Sequence, residues 1–405
     1  MFKKIRGWLE AERNFLYAAL GVSFLLRLAF VLKTGTGGLS PDAGDWMSSG
    51  WAIATGSGFG NSWRPPGYAF YLAGVFSVFG KSIMAAKVLN AVLGTATVLF
   101  TYLTAKALLN PRTARIAAAL TACYPYLIAY TGDLISETFL AFIISAAILA
   151  VVKTAENAAW KNLALTGVLI GCAGLTKSVV LPFFLLACGW LWWQTSRFRT
   201  GFLVGVFTLL TIAPWTLRNY FHYDKGYVMP VSTPWFSLYG SACDEALLNE
   251  TTGDLLKGPG QKSVDQFLPP DWAAVAALPL PERDKYCKEK ALGWIKDNPD
   301  KFTWLLYKRF IHFWRLYPVI AYGWEKAAAM ATSGLYIPLA VIGFFLALPA
   351  FKKTSLLLAL FASYTAVHLF FVVTLRYRVP IDPYVIMLAA YALSEGYGRL
   401  LRRPA

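Results

Sequence analysis

From its N-terminus the chain alternates between long apolar blocks and short polar segments, and the blocks set its architecture. A helix needs about 20 apolar residues to cross a hydrocarbon core, and blocks near that length recur along the sequence. They predict transmembrane helices at about 14–33, 81–107, 113–131, 133–152, 162–176, 178–194, 201–218, 332–350, 355–373 and 381–398. The blocks are continuous runs of Leu, Ala, Val and Phe and lack the period-two alternation of barrel strands. The predicted fold class is therefore an all-α polytopic membrane protein with about ten spans. The first block, Phe15 to Leu32, is long and has no small-x-small cleavage site, so it reads as a retained helix.

Composition agrees: 57% of the 405 residues are hydrophobic and 15% are charged, against about 25% charged in a soluble domain. The net charge of +16 invites a nucleic-acid reading, but its placement excludes one. The cations cluster between apolar blocks: Lys3, Lys4, Arg6 and Arg13; Lys106, Arg112 and Arg115; Lys153 and Lys161; Arg197 and Arg199; Lys352 and Lys353; Arg399, Arg402 and Arg403. Short Lys/Arg-rich loops mark the cytoplasmic face. The expected topology has both termini in the cytoplasm, a multi-pass chain in the plasma (inner) membrane, and a working surface on the extracytoplasmic, periplasmic side.

Two segments on that side are too long to be connectors, and long loops are usually functional. The first, 34–80, belongs with a catalytic transmembrane core at 1–218 and ends in an apolar stretch, 67–80, read as a helix along the membrane surface. The second, 219–331, holds a helical patch around 284–297 and an interfacial helix at about 302–321, aromatic on one face and basic on the other. Residues 332–405 supply the C-terminal transmembrane helices. Cys243 and Cys287 lie in the second segment, where an oxidising compartment permits a disulfide. No internal repeat supports an inverted-repeat transporter.

Candidate chemistry gathers in the same segments. Pro41-Asp42-Ala43-Gly44-Asp45 places two carboxylates three residues apart, facing one way on a helical turn. Such a pair serves as a general base or holds a divalent cation; the same positions also suit acids that complete a helix start. Arg64 precedes Pro65 and Pro66 on a stiff backbone, from which a guanidinium can fork onto a phosphate. Glu137 falls about a turn inside a helix, where an ionisable group is costly unless paired or functional; Arg27 and Lys87 are its candidate partners. Lys177 marks the turn between the fifth and sixth spans but lacks the glycine-lysine pair and strand of a nucleotide loop. Gly167, Gly171 and Gly174 suit close helix packing. Arg218, Asn219, Tyr220 and His222 stand where the seventh span emerges, and Arg376 and Arg378 between the last two. His222, His312 and His368 show no metal-ligand spacing.

In order along the chain, Pro41-Asp42-Ala43-Gly44-Asp45, Arg64-Pro65-Pro66-Gly67-Tyr68, Leu134-Ile135-Ser136-Glu137, Gly174-Leu175-Thr176-Lys177, Pro214-Trp215-Thr216-Leu217-Arg218-Asn219-Tyr220 and Arg376-Tyr377-Arg378-Val379-Pro380 resemble the lipid-linked-sugar glycosyltransferases of the GT-C fold. The likeness is to the bacterial branch related to protein O-mannosyltransferases and the lipid A aminoarabinose transferase. It implies transfer of a sugar from a polyprenyl-phosphate donor to a glycan, glycolipid or protein acceptor at the outer face of the lipid bilayer; the expected mechanism is direct displacement at the sugar C1 with inversion. Asp42 matches the family's catalytic base. Ala43 stands where relatives often have an adjacent acid, which leaves the work divided between Asp42 and Asp45. Lys177 matches a family position near the carrier phosphate; topology brings Arg64, Arg218, Arg376 and Arg378 to the same face as further candidates for that phosphate, with Tyr68, Glu137, Asn219, Tyr220 and His222 as substrate-binding or structural polar groups. The resemblance requires no cofactor, with a divalent ion at Asp42 and Asp45 left open. A transporter or flippase of a lipid-linked or anionic solute would use the same cations, and a surface-polysaccharide ligase or polymerase would differ in its acceptor.

Overall fold

A computed structural model describes residues 2–59, 64–223, 229–247, 268–317, 323–371 and 373–400. Among these residues every regular element is helical. Helix α1 spans Phe2–Thr34, and α2 (Pro41–Ala54) packs against α3 (Gly67–Phe79). The bundle continues through α4 (Ile83–Leu108), α5 (Pro111–Ala122), α6 (Pro125–Ala129), α7 (Ser136–Glu156), α8 (Trp160–Thr176), α9 (Leu181–Thr195) and α10 (Phe198–His222). Three shorter or amphipathic helices follow, α11 (Trp235–Tyr239), α12 (Trp272–Ala276) and α13 (Leu280–Asp297), then α14 (Pro299–Phe313). The C-terminal part is α15 (Gly323–Ala347), α16 (Phe351–Leu369) and α17 (Asp382–Leu400).

Nine of the ten expected spans coincide with helices to within a few residues, apart from extensions at some ends. The third does not run its expected course. A helix was expected over 113–131, but α5 stops at Ala122 and the chain restarts at Pro125. Proline lacks the N–H that would continue the ladder and its ring clashes with the preceding turn. The 12 residues of α5 extend about 18 Å, short of a hydrocarbon core of about 30 Å; α6 and a turn of 3-10 helix at Tyr130–Gly132 carry the chain on to α7.

Six stretches among the described residues are long and apolar enough to cross a membrane. They are Glu12–Thr34, Ile83–Leu108, Ser136–Glu156, Ser178–Thr195, Phe198–His222 and Lys326–Leu369, the last holding both α15 and α16. The chain is a multi-pass membrane protein. Large apolar side chains such as Leu185, Leu209, Leu210 and Phe345 point outward, as a lipid-facing surface requires. At the centre, α17 is buried all round: Tyr384 to Ala390 are each 3% exposed or less, the signature of a helix enclosed by others. Helices α8 and α10 meet at Gly167 and Gly171, where an added methyl group would overlap Phe207 and Thr211, so small residues do set that contact.

Helix directions sort the turns between two ends of the bundle. The basic turns share one end, where Lys106 pairs with Glu12 at 2.8 Å and Trp190 donates to the Lys352 carbonyl. The starts of α2 and α7, the end of α8 and the turn between α16 and α17 share the other. There α13 and α14 pack as amphipathic helices: Leu305, Arg309 and Phe313 of α14 are buried, whereas Tyr307, Phe310 and Ile311 are exposed. The interfacial helix expected to about residue 321 thus ends at Phe313, and residues 318–321 of that expectation lie outside the described ones.

The disulfide that an oxidising compartment would permit between Cys243 and Cys287 is not formed. Both are buried free thiols; Cys243 donates to the Gly240 carbonyl, and Cys287 packs with Tyr239 and Val275. Each is held by its own apolar surroundings, as a small hydrophobe.

Candidate active site

Five elements deliver the charged side chains to one end of the bundle. Pro41 opens α2 with its fixed φ at the first helical position, so Asp42 falls in the first turn and Asp45 one turn later. The start of α2 is tied down by Asp133, whose Oδ1 accepts from the backbone N–H of Ser40 at 3.1 Å and of Leu134 at 2.8 Å. Arg64 enters from the segment before α3, its guanidinium stacked 4.9 Å over the Trp46 ring. Glu137 comes from the first turn of α7, Lys177 from the end of α8, and Arg376 from a 3-10 turn at Leu375–Tyr377.

These side chains form an alternating chain of charge. One Arg64 nitrogen, Nη2, donates to Asp45 Oδ2 at 3.0 Å and to Asp42 Oδ1 at 3.1 Å. The other Asp42 oxygen accepts from Arg376 Nη2 at 2.8 Å. Arg376 Nε then lies 2.8 Å from Glu137 Oε1, and Lys177 Nζ 3.8 Å from the same oxygen. Three carboxylates are thus matched by three cations. Arg64 stands between Asp42 and Asp45, and among the described residues no three His, Cys, Asp or Glu side chains come together as a metal-binding group.

The surroundings set the charge states. Burial alone would raise the pKa of Asp42, but Arg376 and then Arg64 outweigh it and hold the carboxyl below its ordinary value. Burial likewise works against the Arg376 charge, yet Glu137 and Asp42 raise its pKa above the usual arginine value. At Lys177 burial wins over Glu137 and pulls the ammonium down to about 8.

Arg64, Lys177 and Arg376 line a cavity of about 350 Å³. Trp46 and Tyr377 flank them, and Lys177 Nζ lies 4.4 Å over the Tyr377 ring. The facing wall is the segment with Ser232, Thr233 and Ser237, backed by Trp272. Asp42 stands beside the cavity, in contact with two of its lining cations, and its side chain is 33% exposed.

Several expected site residues lie elsewhere. Arg378 is fully buried away from the cavity, paired with Asp382 at 2.9 Å and donating to the Phe313 and Arg315 carbonyls. Its role there is to lock the turn after α16 onto α14, so the carrier-phosphate contact expected of it is not supported by its position. Arg218 donates to the Phe59 carbonyl and lies over the Trp215 ring, and Asn219 donates to the Met229 carbonyl. Tyr220 stacks edge-on with Phe221, and His222 is exposed beside Tyr223. Tyr68 is buried between Trp46 and Tyr71. The partners expected for Glu137 are also corrected. Arg27 is spent on the carbonyls of Ser23, Thr121 and Ala122, and Lys87 on those of Gly35 and Gly37.

Sequence reasoning missed His368, Tyr377, Trp272 and the hydroxyl wall. Tyr377 sits inside a motif read for its arginines. The others carry no local signal, because the turns that bring them to the cavity are fixed by tertiary packing. One such contact is Arg309, which bonds the Ser241 and Leu369 carbonyls and so ties the hydroxyl wall to the end of α16.

Residues 63–217 match the model of the dolichyl-phosphate-mannose-protein mannosyltransferase family. No curated protein sequence matches the chain. Among solved structures, the oligosaccharyltransferase of Archaeoglobus fulgidus in its apo form overlaps 96% of this chain and 51% of its own, with a TM-score of 0.60 and 15% identity. The oligosaccharyltransferase AglB from Archaeoglobus fulgidus in complex with an inhibitory peptide and a dolichol-phosphate overlaps 96% and 50%, with a TM-score of 0.58 and 16% identity. This chain therefore spans about half the length of the oligosaccharyltransferase it matches. ArnT from Cupriavidus metallidurans bound to undecaprenyl phosphate overlaps 96% and 78% at 14% identity, but its TM-score of 0.40 is too low for the sites to be compared. The chain has the all-helical membrane fold of the GT-C glycosyltransferases, with a stretch from residue 63 to residue 217 that matches the mannosyltransferase family model.

Proposed function

We propose that the protein transfers a sugar from a polyprenyl-phosphate carrier to an acceptor hydroxyl, at the extracytoplasmic face of the plasma membrane, with inversion. The observation that carries this reading is the shared Arg376, which bonds Asp42 and also lines the cavity. In the reaction the acceptor oxygen bonds to the sugar C1, the bond from C1 to the phosphate oxygen breaks, and Asp42 takes the hydroxyl proton. The carrier phosphate departs with one more negative charge. As Asp42 is neutralised, Arg376 and Arg64 lose a counter-charge at the moment the phosphate gains one. A fixed cation that serves the base first and the leaving group afterwards stabilises the transition state with no reorganisation. Lys177 adds a second cation to the phosphate. Asp45, held on the outer side of Arg64, orients that guanidinium.

The test is incubation of the purified protein with radiolabelled undecaprenyl-phosphate mannose, glucose or N-acetylglucosamine in native membranes that supply the acceptor. Free undecaprenyl phosphate should accumulate with time as label enters an acceptor. A protein that binds or moves the intact donor without releasing the carrier would contradict the reading and point to transport.

A further inference from the structure

His368, near the end of α16, lines the cavity yet plays no part in the charged chain described above. It is 3% exposed. Its Nδ1 lies 2.7 Å from the Tyr364 carbonyl. A carbonyl oxygen only accepts, so that nitrogen carries the proton, and the neutral ring is left with a lone pair on Nε2. Nε2 is buried and, among the described residues, has no hydrogen-bond partner. The ring cannot turn to hide it: Tyr364 at 4.5 Å, Phe313 at 5.5 Å and Tyr377 at 5.6 Å clamp it between aromatic faces. A fixed, buried acceptor without a partner is costly, and its residue belongs to the cavity lining.

We infer that His368 Nε2 accepts a hydrogen bond from a hydroxyl of the transferred sugar, and so holds the sugar at the α16 side of the cavity. This rests on the reading of the cavity as a site for a lipid-linked sugar. The carrier phosphate cannot fill the role. It is an anionic acceptor at neutral pH, and the imidazole lone pair repels it. The cations Lys177, Arg376 and Arg64 draw the phosphate, whereas His368 selects for a hydrogen-bond donor. The two chemistries give the donor one orientation in the cavity: the lipid phosphate on the cations, and the ring hydroxyl on the histidine. His368 is a positioning and specificity residue in this scheme and takes no proton.

The test measures dissociation constants of the detergent-purified full chain for undecaprenyl phosphate and for the same lipid carrying mannose, glucose or N-acetylglucosamine. His368→Phe keeps an aromatic ring and removes the acceptor; His368→Gln restores an acceptor near the Nε2 position. The phenylalanine variant should bind the preferred sugar lipid roughly three- to tenfold more weakly and bare undecaprenyl phosphate as the wild type does. The glutamine variant should recover most of the loss. With wild-type protein, one single-deoxy analogue of the preferred sugar should bind as weakly as the parent does to His368→Phe, and that variant should no longer distinguish the two. Equal binding of every deoxy analogue by the wild type overturns the inference even where His368→Phe fails to fold. So does a variant that weakens both lipids alike, or one that raises the KM for the acceptor with donor binding intact. Failure of the wild type to prefer any sugar-bearing lipid overturns this inference. Carrier release, measured separately, decides the transferase reading alone.

Discussion

Arg376 Nη2 lies 2.8 Å from Asp42 Oδ2, although 334 positions separate the two in sequence. The pair joins the first helix after α1 to the turn before the last helix. It also couples the charge of the proposed base to the wall of the cavity, which no local motif could do.

Asp42→Asn keeps the shape and the acceptor oxygen of the side chain but removes its basicity. Transfer should fall by about 10²- to 10⁴-fold, the usual worth of a positioned general base, with donor binding and thermal unfolding little changed. Asp45→Asn should cost far less, because Asp45 is 55% exposed and, among the described residues, touches the site through Arg64 alone. Initial rates of carrier release compare the two; equal losses would place Asp45 in the chemistry.

Arg376→Gln should move the acid limb of the pH–rate profile to higher pH. In the wild type Asp42 is held below its ordinary value, so its charge is lost only as pH falls beneath the usual carboxylate range of about 4. Without Arg376 the burial penalty remains and the strongest opposing cation is gone, so the carboxyl protonates at a higher pH. The limb position is the readout, since the rate itself drops at every pH. An unshifted limb would show that Asp42 does not limit the rate.

The KM for the donor should rise as pH rises through about 8, where burial has brought the Lys177 pKa. A deprotonated amine loses its charge-assisted bond to phosphate. Lys177→Arg should flatten this dependence between about pH 7 and 9, because a guanidinium stays protonated throughout. Donor KM across that range in both proteins checks it.

Arg378→Met should destabilise the fold by about 3–5 kcal/mol, since it leaves the buried Asp382 without its cation and with the Tyr124 hydroxyl as a remaining donor. Replacing both residues, Arg378→Met with Asp382→Leu, should recover much of that loss. Thermal unfolding in detergent measures both. A loss of donor affinity with stability unchanged would return Arg378 to the carrier-binding set.

Gly67→Ala should impair the site through packing. A methyl group on Gly67 would sit 2.7 Å from the backbone N and the hydroxyl of Thr176, the residue before Lys177. The start of α3 would have to withdraw from the end of α8, at about 1–3 kcal/mol for such overpacking. The expected signature is a lower unfolding temperature together with a raised donor KM.

Much of this arrangement was legible in the sequence. Apolar block lengths found the helices, because a bilayer imposes one length on any segment that crosses it. The acids after the first span and the cations Arg64, Lys177 and Arg376 were also found, because a topology read from basic loops puts them at one level. Level is not position, however. Arg218 and Arg378 lie near the same end, but one turns to a loop carbonyl and the other into the core. The break at Pro125 falls inside the apolar run that predicts one helix over 113–131. His368 gave no signal at all: its significance lies in one unpartnered nitrogen, which only the packing of three aromatic rings reveals.

The contact between Arg376 and Asp42 also has a bearing on biosynthesis. As the ribosome delivers the chain, Asp42 and Glu137 enter the bundle long before the arginine that joins them. An insertion intermediate lacking the final hairpin holds a buried Glu137 with Lys177 as its remaining cationic neighbour in the charged chain. The hairpin of α16 and α17 therefore supplies the last-synthesised parts of the charged chain and of the cavity wall, Arg376 with His368 and Tyr377.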